Sequence, residues 1–586
     1  MPVLLPSLPQ NDWFPTSRNN ALEDERETYE IVYDILPTLA MNKKLPLTHV
    51  PKAPWIAIVI ETLFNQQRNA VEVRDNTDLN TPGVDLESAL ADIYDNLGVV
   101  EFIDTVKAIF ALLETARPVG RPRNFEDYEL LFQSFVLPEY FNLYDDDDHF
   151  AELRVTGINP MVISKVATLE SHFPVTDAIF TATSAFSGDS LAAAGSEGRL
   201  FLADYGMLDS MEPGALPTQP KYTYAPLALF ALPKNGTKLK PIAIQCGQDS
   251  ESNPIFTPND GWTWKIAKAA VQVADTNHHE LYSHLGTTHL VQESIALGTY
   301  RQLSYRHPLF ILLEPHFEGT FFINFLATEI LLPEGTPVPV LLSGTTESLH
   351  AQAVMARTNH SFRDSFPPVS LNSRGVMDLP YFPYRDDALA LWSAIRDWVA
   401  DYLNLYYSSD SEVINDTEVQ AWSAEIGSQS GGRLQGFGDE NGTGISSLEL
   451  LIDTATMAIF NGSVQHAAVN FPQKTQMTFA PMYPMAGYVP SPTTTGHTES
   501  DFLDFFPPME NAMQGAETLD LLGSIYHTQL GEYNLGHFGD LSVVIPLANF
   551  KSALSTIEDN INTRNASLEK PYKVLLPSAI PQSTNI

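Results

Sequence analysis

Hydrophobic residues along the chain recur mostly at the spacing of an amphipathic helix. Two groups near the N-terminus each place their apolar side chains on one helical face: Ile31, Val32, Ile35 and Leu36, and then Ile103, Val106, Ile109 and Phe110. Strands of alternating polar and apolar residues do not recur at even spacing in this part of the chain. We therefore predict that residues 20–113 are helical and do not form a β-sandwich.

Longer helical patterns follow in the rest of the chain, at residues 264–301, 386–407, 416–426 and 446–470. Residues 224–232 and 241–245 have the short apolar character of strands. No internal repeat and no low-complexity linker divides the chain. We predict a mainly α protein with a helical N-terminal extension, residues 1–115, and one large domain with small β segments, residues 116–586.

Charge and cysteine content narrow the class of protein. The 33 Lys and Arg residues against 71 Asp and Glu residues give a net charge of −38, which repels nucleic-acid phosphate and anionic lipid headgroups. The single cysteine, Cys246, excludes an intramolecular disulfide. The N-terminus lacks the basic start and apolar run of a signal peptide. We expect a cytoplasmic protein without a nucleic-acid partner.

Three evenly spaced histidines are the first candidates for chemistry. His279, His284 and His289 are five residues apart. In a regular α-helix, five steps of about 100° would point successive rings roughly 140° apart, so they could not share a metal ion. A π-turn, with its i to i+5 hydrogen bonds, would place two of the rings on one face. Such a pair alone is more typical of surface or core histidines.

A second segment offers His466 and Asn470, which an α-helix places on one face because they are four residues apart. A ring nitrogen and an amide oxygen can both bind a metal ion. Taken alone, however, this spacing is more often explained by a histidine packed in the core.

The order of motifs over residues 150–586 resembles the lipoxygenase family. The family pattern W-x-x-A-K-x-x-V…D…H-x-L-x-x-H-x-x-x-x-H…E is met by Trp264, Ala267, Lys268, Val271, Asp275, His279, Leu281, His284, His289 and Glu293. Further matches follow in family order at His307-Pro308-Leu309, Leu313-Glu314-Pro315-His316, Trp398, Tyr406-Tyr407, Asp410, Asp416, Glu418 and Gln420-Ala421-Trp422. The last six residues, ending in Ile586, resemble the family's P-N-S-x-S-I with departures at two positions. The resemblance implies a lipoxygenase catalytic domain.

The resemblance also implies a metal site. Its ligands would be His284, His289, His466, Asn470 as a weaker ligand, and the free carboxylate of Ile586. His279 matches a histidine that is a neighbour of the metal and not a ligand, and Gln473 matches an amide that orients the ligands. Three imidazoles, an amide oxygen and a carboxylate suit one non-haem iron ion per chain, with one position left for water.

The reaction implied by the resemblance is dioxygenation of a polyunsaturated fatty acid, free or esterified. A hydrogen atom leaves the bis-allylic carbon of a cis,cis-1,4-pentadiene, O2 adds on the opposite face, and a hydroperoxide is released. Ala327 stands where the family has Ala, which accompanies S products, or Gly, which accompanies R products. Leu331, one turn further, is expected to touch the pentadiene. Thr328 departs from the Arg of many relatives.

Three alternatives stay open at this point. Manganese could replace iron with similar ligands. The chain could be an inactive lipid-binding relative, although such a relative would lack a ligand. It could also rearrange hydroperoxides in place of dioxygenation.

The N-terminal extension departs from the β-sandwich that opens many eukaryotic relatives, and in this respect the chain resembles bacterial lipoxygenases. Residues 55–60, which include Trp55 and Val59, are either core or a surface for lipid access. We expect a monomer that contacts membranes transiently through apolar N-terminal residues.

Overall fold

Helices form most of the structure, a computed structural model that describes residues 5–82, 102–215, 219–440, 442, 444–526 and 528–586. The α-helices of eight or more residues beyond residue 115 are Asp147–Thr156, Trp262–His278, Leu290–Gln302, Thr320–Ile330, Thr346–Asn359, Pro383–Leu403, Thr417–Gly427, Leu448–Phe460, Met509–Leu522 and Val544–Asn565. Shorter helices are Glu126–Glu129, Asp177–Phe180, Leu191–Ser196, Pro308–Leu313, Pro337–Leu341, Pro367–Ser373, Asp410–Ile414, His466–Asn470 and Glu499–Phe505. The four long helical patterns are confirmed.

The N-terminal extension contains the helices Pro15–Thr28, Ala53–Asn76 and Phe102–Glu114. The last of these confirms the helical face predicted from Ile103 to Phe110. The face predicted from Ile31 to Leu36 is wrong, because Ile31–Val32 is a strand paired with Met41–Asn42. Pro37 disfavours helical backbone at the residue before it, so the apolar segment is too short to continue as a helix. Residues 83–101 of the predicted helical region lie outside the described residues.

Beyond the extension, the described residues form an antiparallel sheet whose strands follow chain order: Ser164–Val166, Leu200–Asp204, Leu227–Ala231, Lys240–Gln245 and Ile255–Phe256. The third and fourth strands confirm the two predicted ones. Every residue of Leu227–Ala231 is buried, as are all but the first of Lys240–Gln245. Burial on both faces explains why these strands are continuous apolar runs without polar alternation.

The N-terminal extension shares one hydrophobic core with the rest of the chain. Trp55, Val59 and Leu63 belong to the same buried cluster as Ile586, so Trp55 and Val59 fit the core interpretation and not the lipid-access one. Arg18 adds a buried ion pair with Glu418, in which Nη2 and Oε2 are 2.8 Å apart. The proposed division at residue 115 stays a prediction.

One described segment, Pro308–Ile330, has the length and hydropathy of a membrane-spanning helix. It is not one continuous α-helix, because a 3-10 turn at Glu314–Phe317 and a left-handed residue at Gly319 separate Pro308–Leu313 from Thr320–Ile330. Most of the segment is buried inside the protein, where it helps to form the core around the site described next.

Candidate metal centre

The central helix runs over residues 262–302 and changes its hydrogen-bonding pattern in the middle. A π-helix at His279–His289 separates two α-helical parts. It is the element that the five-residue spacing requires if two of the histidines are to share one face. The π-helix brings His284 and His289 together, with their Nε2 atoms 3.1 Å apart. Two nitrogens bound to one metal ion at right angles, each at about 2.1 Å, would be about 3 Å apart. This pair therefore has the spacing that one metal ion requires.

A second helical segment, residues 448–470, supplies the third imidazole. The ring centroid of His466 lies 5.4 Å from that of His284 and 5.0 Å from that of His289. One nitrogen of each ring lies within 4.8 Å of the others, and all three residues are buried. Within the described part of the chain, this is the one group of three or more His, Cys, Asp or Glu residues arranged to hold a metal ion.

Ile586 lies beside one of the three convergent histidines. An oxygen of Ile586 lies 3.0 Å from His466 Nε2, and Ile586 is buried. Trp55 of the N-terminal extension donates its indole N–H to the carbonyl of Asn585 at 2.8 Å, and Thr320 donates its hydroxyl to Thr584 O at 3.1 Å. The final residues are therefore held by two distant parts of the chain.

Gly319 shows how closely the C-terminal segment is packed. Its φ of +82° favours glycine, and an added Cβ would lie 2.9 Å from the Cβ of Asn585. Any larger residue at position 319 would have to displace the chain next to Ile586.

Asn470 and Gln473 lie next to each other in the core, and both are fully buried. Gln473 donates its amide to Asn470 Oδ1 at 2.9 Å, while Asn470 donates its own amide to Leu522 O at 3.0 Å. The Asn470 oxygen keeps a second lone pair with which it could bind a metal ion. Gln473 thus has the geometry of an amide that orients Asn470.

His279 lies next to the cluster, with its ring centroid 5.7 Å from that of His284, but it is not one of the convergent histidines. Its Nε2 donates to Val469 O at 2.6 Å. Its placement supports the expectation that it is a neighbour and not a ligand.

Sequence reasoning missed the residues that orient His289. Asn324 donates its amide to Glu293 Oε2 at 2.8 Å, which leaves Asn324 Oδ1 to accept from His289 Nδ1 at 2.9 Å. Glu293 Oε1 in turn accepts from the backbone N–H of Asn42 at 2.9 Å. Because Nδ1 of His289 carries the proton, Nε2 presents a lone pair towards His284 and His466. The sequence offered one sign of this role, because Asn324 is the only amide side chain in the apolar helix Thr320–Ile330.

Glu280 is a second residue that sequence reasoning missed. Its carboxylate lies 3.3 Å from His279 Nδ1 and 3.6 Å from His284 Nδ1. The signal was its spacing, since Glu280 precedes His284 by four residues. A carboxylate behind a ligating imidazole raises its basicity and fixes its orientation.

Burial keeps the three convergent imidazoles neutral. It lowers the pKa of His289 to about 3, with a further contribution from His284. It also lowers the pKa of His284 and, strongly, that of His466. Neutral imidazoles, an amide oxygen and a carboxylate are a donor set that a transition metal such as iron accepts.

Ala327 and Leu331 are both half-buried and lie outside the histidine cluster. Ala327 follows Asn324 by one turn of helix Thr320–Ile330, and the backbone N–H of Leu331 donates to Ala327 O at 3.0 Å. Ala327 therefore lies on the helix that holds His289 through Asn324, and Leu331 caps the C-terminal end of that helix.

Comparison with known proteins assigns the family. The lipoxygenase family profile matches residues 124–574. The linoleate 9/13-lipoxygenase of Pseudomonas aeruginosa is 41% identical over 491 residues, which cover 80% of this chain and 70% of that protein. The human polyunsaturated fatty acid lipoxygenase ALOX15B is 36% identical over 459 residues, covering 76% of this chain and 66% of that protein.

Solved structures agree with the sequence comparison. The crystal structure of coral 8R-lipoxygenase superposes with a TM-score of 0.83 at 28% identity, covering 99% of this chain and 83% of that one. The chain belongs to the lipoxygenase family, and it is therefore an oxidoreductase of the dioxygenase class.

Proposed function

We propose that the chain is an iron-dependent lipoxygenase that inserts O2 into cis,cis-1,4-pentadiene units of polyunsaturated fatty acids. The ligands of one iron ion would be His284, His289, His466, Asn470 and the carboxylate of Ile586. One observation carries this proposal: three buried imidazoles converge, and one of them lies beside the buried Ile586, in a chain of this family. The names of the relatives, a linoleate and a polyunsaturated fatty acid lipoxygenase, support the substrate class.

Iron, when bound, would supply an acceptor for the electron of the bis-allylic C–H bond, since only one of its protein ligands is an anion. The residues of the chain do the rest. Asn324 holds the proton of His289 on Nδ1, and Gln473 orients the Asn470 oxygen. Burial of all five groups keeps water from competing for the ligand atoms.

The products would be hydroperoxides, mainly of S configuration. The methyl group of Ala327 would block O2 at one end of the pentadiene, and Leu331 would contact the chain of the substrate. The position of Ala327 on helix Thr320–Ile330, which holds His289 through Asn324, and of Leu331 at the C-terminal end of that helix supports this assignment.

Incubation of purified protein with linoleate, combined with elemental analysis, tests the proposal. We expect about one iron per chain and one O2 consumed for each hydroperoxide formed. Manganese in active protein would identify the alternative metal. Consumption of added hydroperoxide without O2 uptake would instead identify a rearranging enzyme, and active protein without either metal would refute the site.

We further propose that the protein acts as a monomer and contacts membranes transiently through its N-terminal extension. The exposed side chains suited to this are Trp13, 91% exposed, and Leu47, also 91% exposed. Vesicle sedimentation of wild type and of a Trp13→Ser/Leu47→Ser variant tests the contact, and equal sedimentation of the two would contradict it. We also propose that the N-terminal extension ends at residue 115 and that the protein is located in the cytoplasm.

A further inference from the structure

A cavity of about 230 Å³ lies beside the metal centre and is separate from it. The central helix contributes Ser283 to its wall, and the second helical segment contributes Asn461 and Gln465. Arg374 and Tyr384 line it from other parts of the chain. Ser283 and Gln465 directly precede His284 and His466, so a molecule in this cavity would touch both helices of the metal centre.

Arg374 presents an unused edge of its guanidinium group. Its Nη1 donates to the carbonyls of Pro160 at 3.1 Å and Ile163 at 2.9 Å. Among the described residues, its Nε has no hydrogen-bond partner, its Nη2 has none either, and the side chain forms no ion pair. Burial lowers the pKa of Arg374 to about 10, so the group remains charged at neutral pH.

Two more deeply buried arginines of this protein, Arg18 and Arg357, show what that edge can bind. Arg18 uses the same two nitrogens, Nε and Nη2, to hold both oxygens of the Glu418 carboxylate. Arg357 has no carboxylate, but its Nε donates to Leu290 O and its Nη2 to Gly432 O. Arg374 differs from both because its Nε–Nη2 edge has neither a carboxylate nor a carbonyl. That edge matches the two oxygens of a carboxylate group.

The rest of the wall favours an anion. None of the described residues that line the cavity is Asp or Glu, although the chain carries 71 of them. Asn461 is 1% exposed, and within the part of the chain that the structure describes neither its Nδ2 nor His360 Nε2 has a hydrogen-bond partner. Buried donors without a protein partner are expected to bind water or a ligand.

We propose that this cavity binds a carboxylate group through the Nε–Nη2 edge of Arg374, with Asn461 as a second donor. The carboxylate could belong to a small organic acid or to the head of a fatty acid, since both present the same two oxygens. Bound there, it would join the segment around Arg374 to the two helices that carry His284 and His466. The proposal does not depend on the metal centre.

Titration of wild-type protein with acetate, against chloride at equal ionic strength, tests the site in solution. We expect acetate, and not chloride, to raise the melting temperature to a saturating value. Arg374→Lys keeps the charge but removes the two-nitrogen edge, so it should weaken acetate binding at least tenfold. Arg68→Lys is the matched control, because Arg68 is exposed and pairs with Glu72 on its own helix. Equal acetate affinity in wild type and Arg374→Lys would overturn the proposal.

A measurement on wild-type protein covers the case in which Arg374→Lys does not fold. Crystals soaked with 3-bromopropanoate should show an anomalous bromine peak in the cavity, next to Arg374 and Asn461. No peak there, together with no acetate effect in solution, would mean that the cavity holds only water. Stronger binding of phosphate than of acetate would also count against a carboxylate site.

Comparison of acetate with decanoate distinguishes the two sources of the carboxylate, and either result supports the site. Equal affinities would indicate a small acid, because the chain would add no contact. A much higher affinity for decanoate would indicate the head of a fatty acid.

Discussion

The two helices of the metal centre support their histidines in different ways. On the central helix, Nδ1 of His289 is held by Asn324, and through Glu293 the support extends to the backbone of Asn42. On the second helical segment, Nδ1 of His466 has no hydrogen-bond partner among the described residues. The contact of His466 with Ile586 is on the Nε2 side of its ring, and its Nδ1 side is held by packing, whereas the Nδ1 side of His289 is fixed by a chain of hydrogen bonds.

The two candidate ligands also differ in how far along the chain their supporting residues lie. Asn470, the other candidate ligand of the second helical segment, is oriented by Gln473, which is three residues away. Orientation of His289 needs Asn324, 35 residues away, and the N-terminal strand Met41–Asn42. The N-terminal extension is therefore a structural support of one candidate ligand, His289, as well as of the C-terminal residues, which Trp55 holds.

The largest expected effect follows from removal of an imidazole of either helix. His284→Ala, His289→Ala and His466→Ala should each abolish metal binding and turnover, because each removes one of three convergent nitrogens. His279→Ala is the matched control, since this buried histidine bonds to Val469 O and lies outside the cluster. Elemental analysis and O2 uptake measure both outcomes. Loss of metal in His279→Ala with retention in His289→Ala would show that the ligand pair is wrongly chosen.

Local features of the site could be predicted because they depend on spacing within one element. The five-residue intervals showed that a shared metal ion would require a π-turn, which the structure contains, and the family resemblance indicated the pair His284 and His289. The interval of four predicted the shared face of His466 and Asn470. The long helices could be predicted for the same reason, since the apolar residues of each buried face recur at helical spacing along the sequence.

Features that depend on distant contacts could not be predicted in this way. Nothing in the spacing of Asn324 or Glu293 shows that they connect to each other or to Asn42. The segment from Ile31 to Leu36 shows the limit for short runs, because six residues fit a helix and a strand about equally well. There, pairing with Met41 and Asn42 decided the structure.

A change at the C-terminus should have almost as large an effect as removal of a histidine. Deletion of Ile586, or addition of residues after it, would remove the carboxylate that lies beside His466. An extension would also need space where Gly319 and Asn585 are already in close contact. We expect loss of turnover and of most of the metal. Full activity of a C-terminally tagged protein, with an N-terminally tagged one as control, would contradict the role of Ile586.

Smaller effects are expected from variants that remove the residues supporting His289 and Asn470. Asn324→Ala removes the partner of His289 Nδ1, and Gln473→Ala removes the partner of Asn470 Oδ1. Each should lower metal affinity or rate by about 10–100-fold. We expect the greater loss from Asn324→Ala, because His289 is a stronger ligand than Asn470 and loses its fixed tautomer.

Asn565→Ala is the control for these two variants. Asn565 is buried and donates its amide to Tyr572 O, which does not belong to the candidate metal centre. Metal affinities would be measured by competition with a chelator, and thermal unfolding would show whether stability changes equally. A loss for Asn565→Ala as large as that for Asn324→Ala would mean that the effect is general destabilisation.

The smallest expected effect concerns the product and not the rate. Ala327→Gly should shift oxygenation from S towards the R product at a neighbouring position of the same pentadiene, since the space of one methyl group becomes available to O2. Gly inside helix Thr320–Ile330 costs about 1 kcal/mol of stability, which a protein with this core should tolerate. Ala327→Ser is the matched control, because it keeps a side chain of similar size at that position. Chiral chromatography of the hydroperoxides measures the ratio. An unchanged S product from a folded Ala327→Gly variant would assign control of O2 access to another residue, with Leu331 as the next to be substituted.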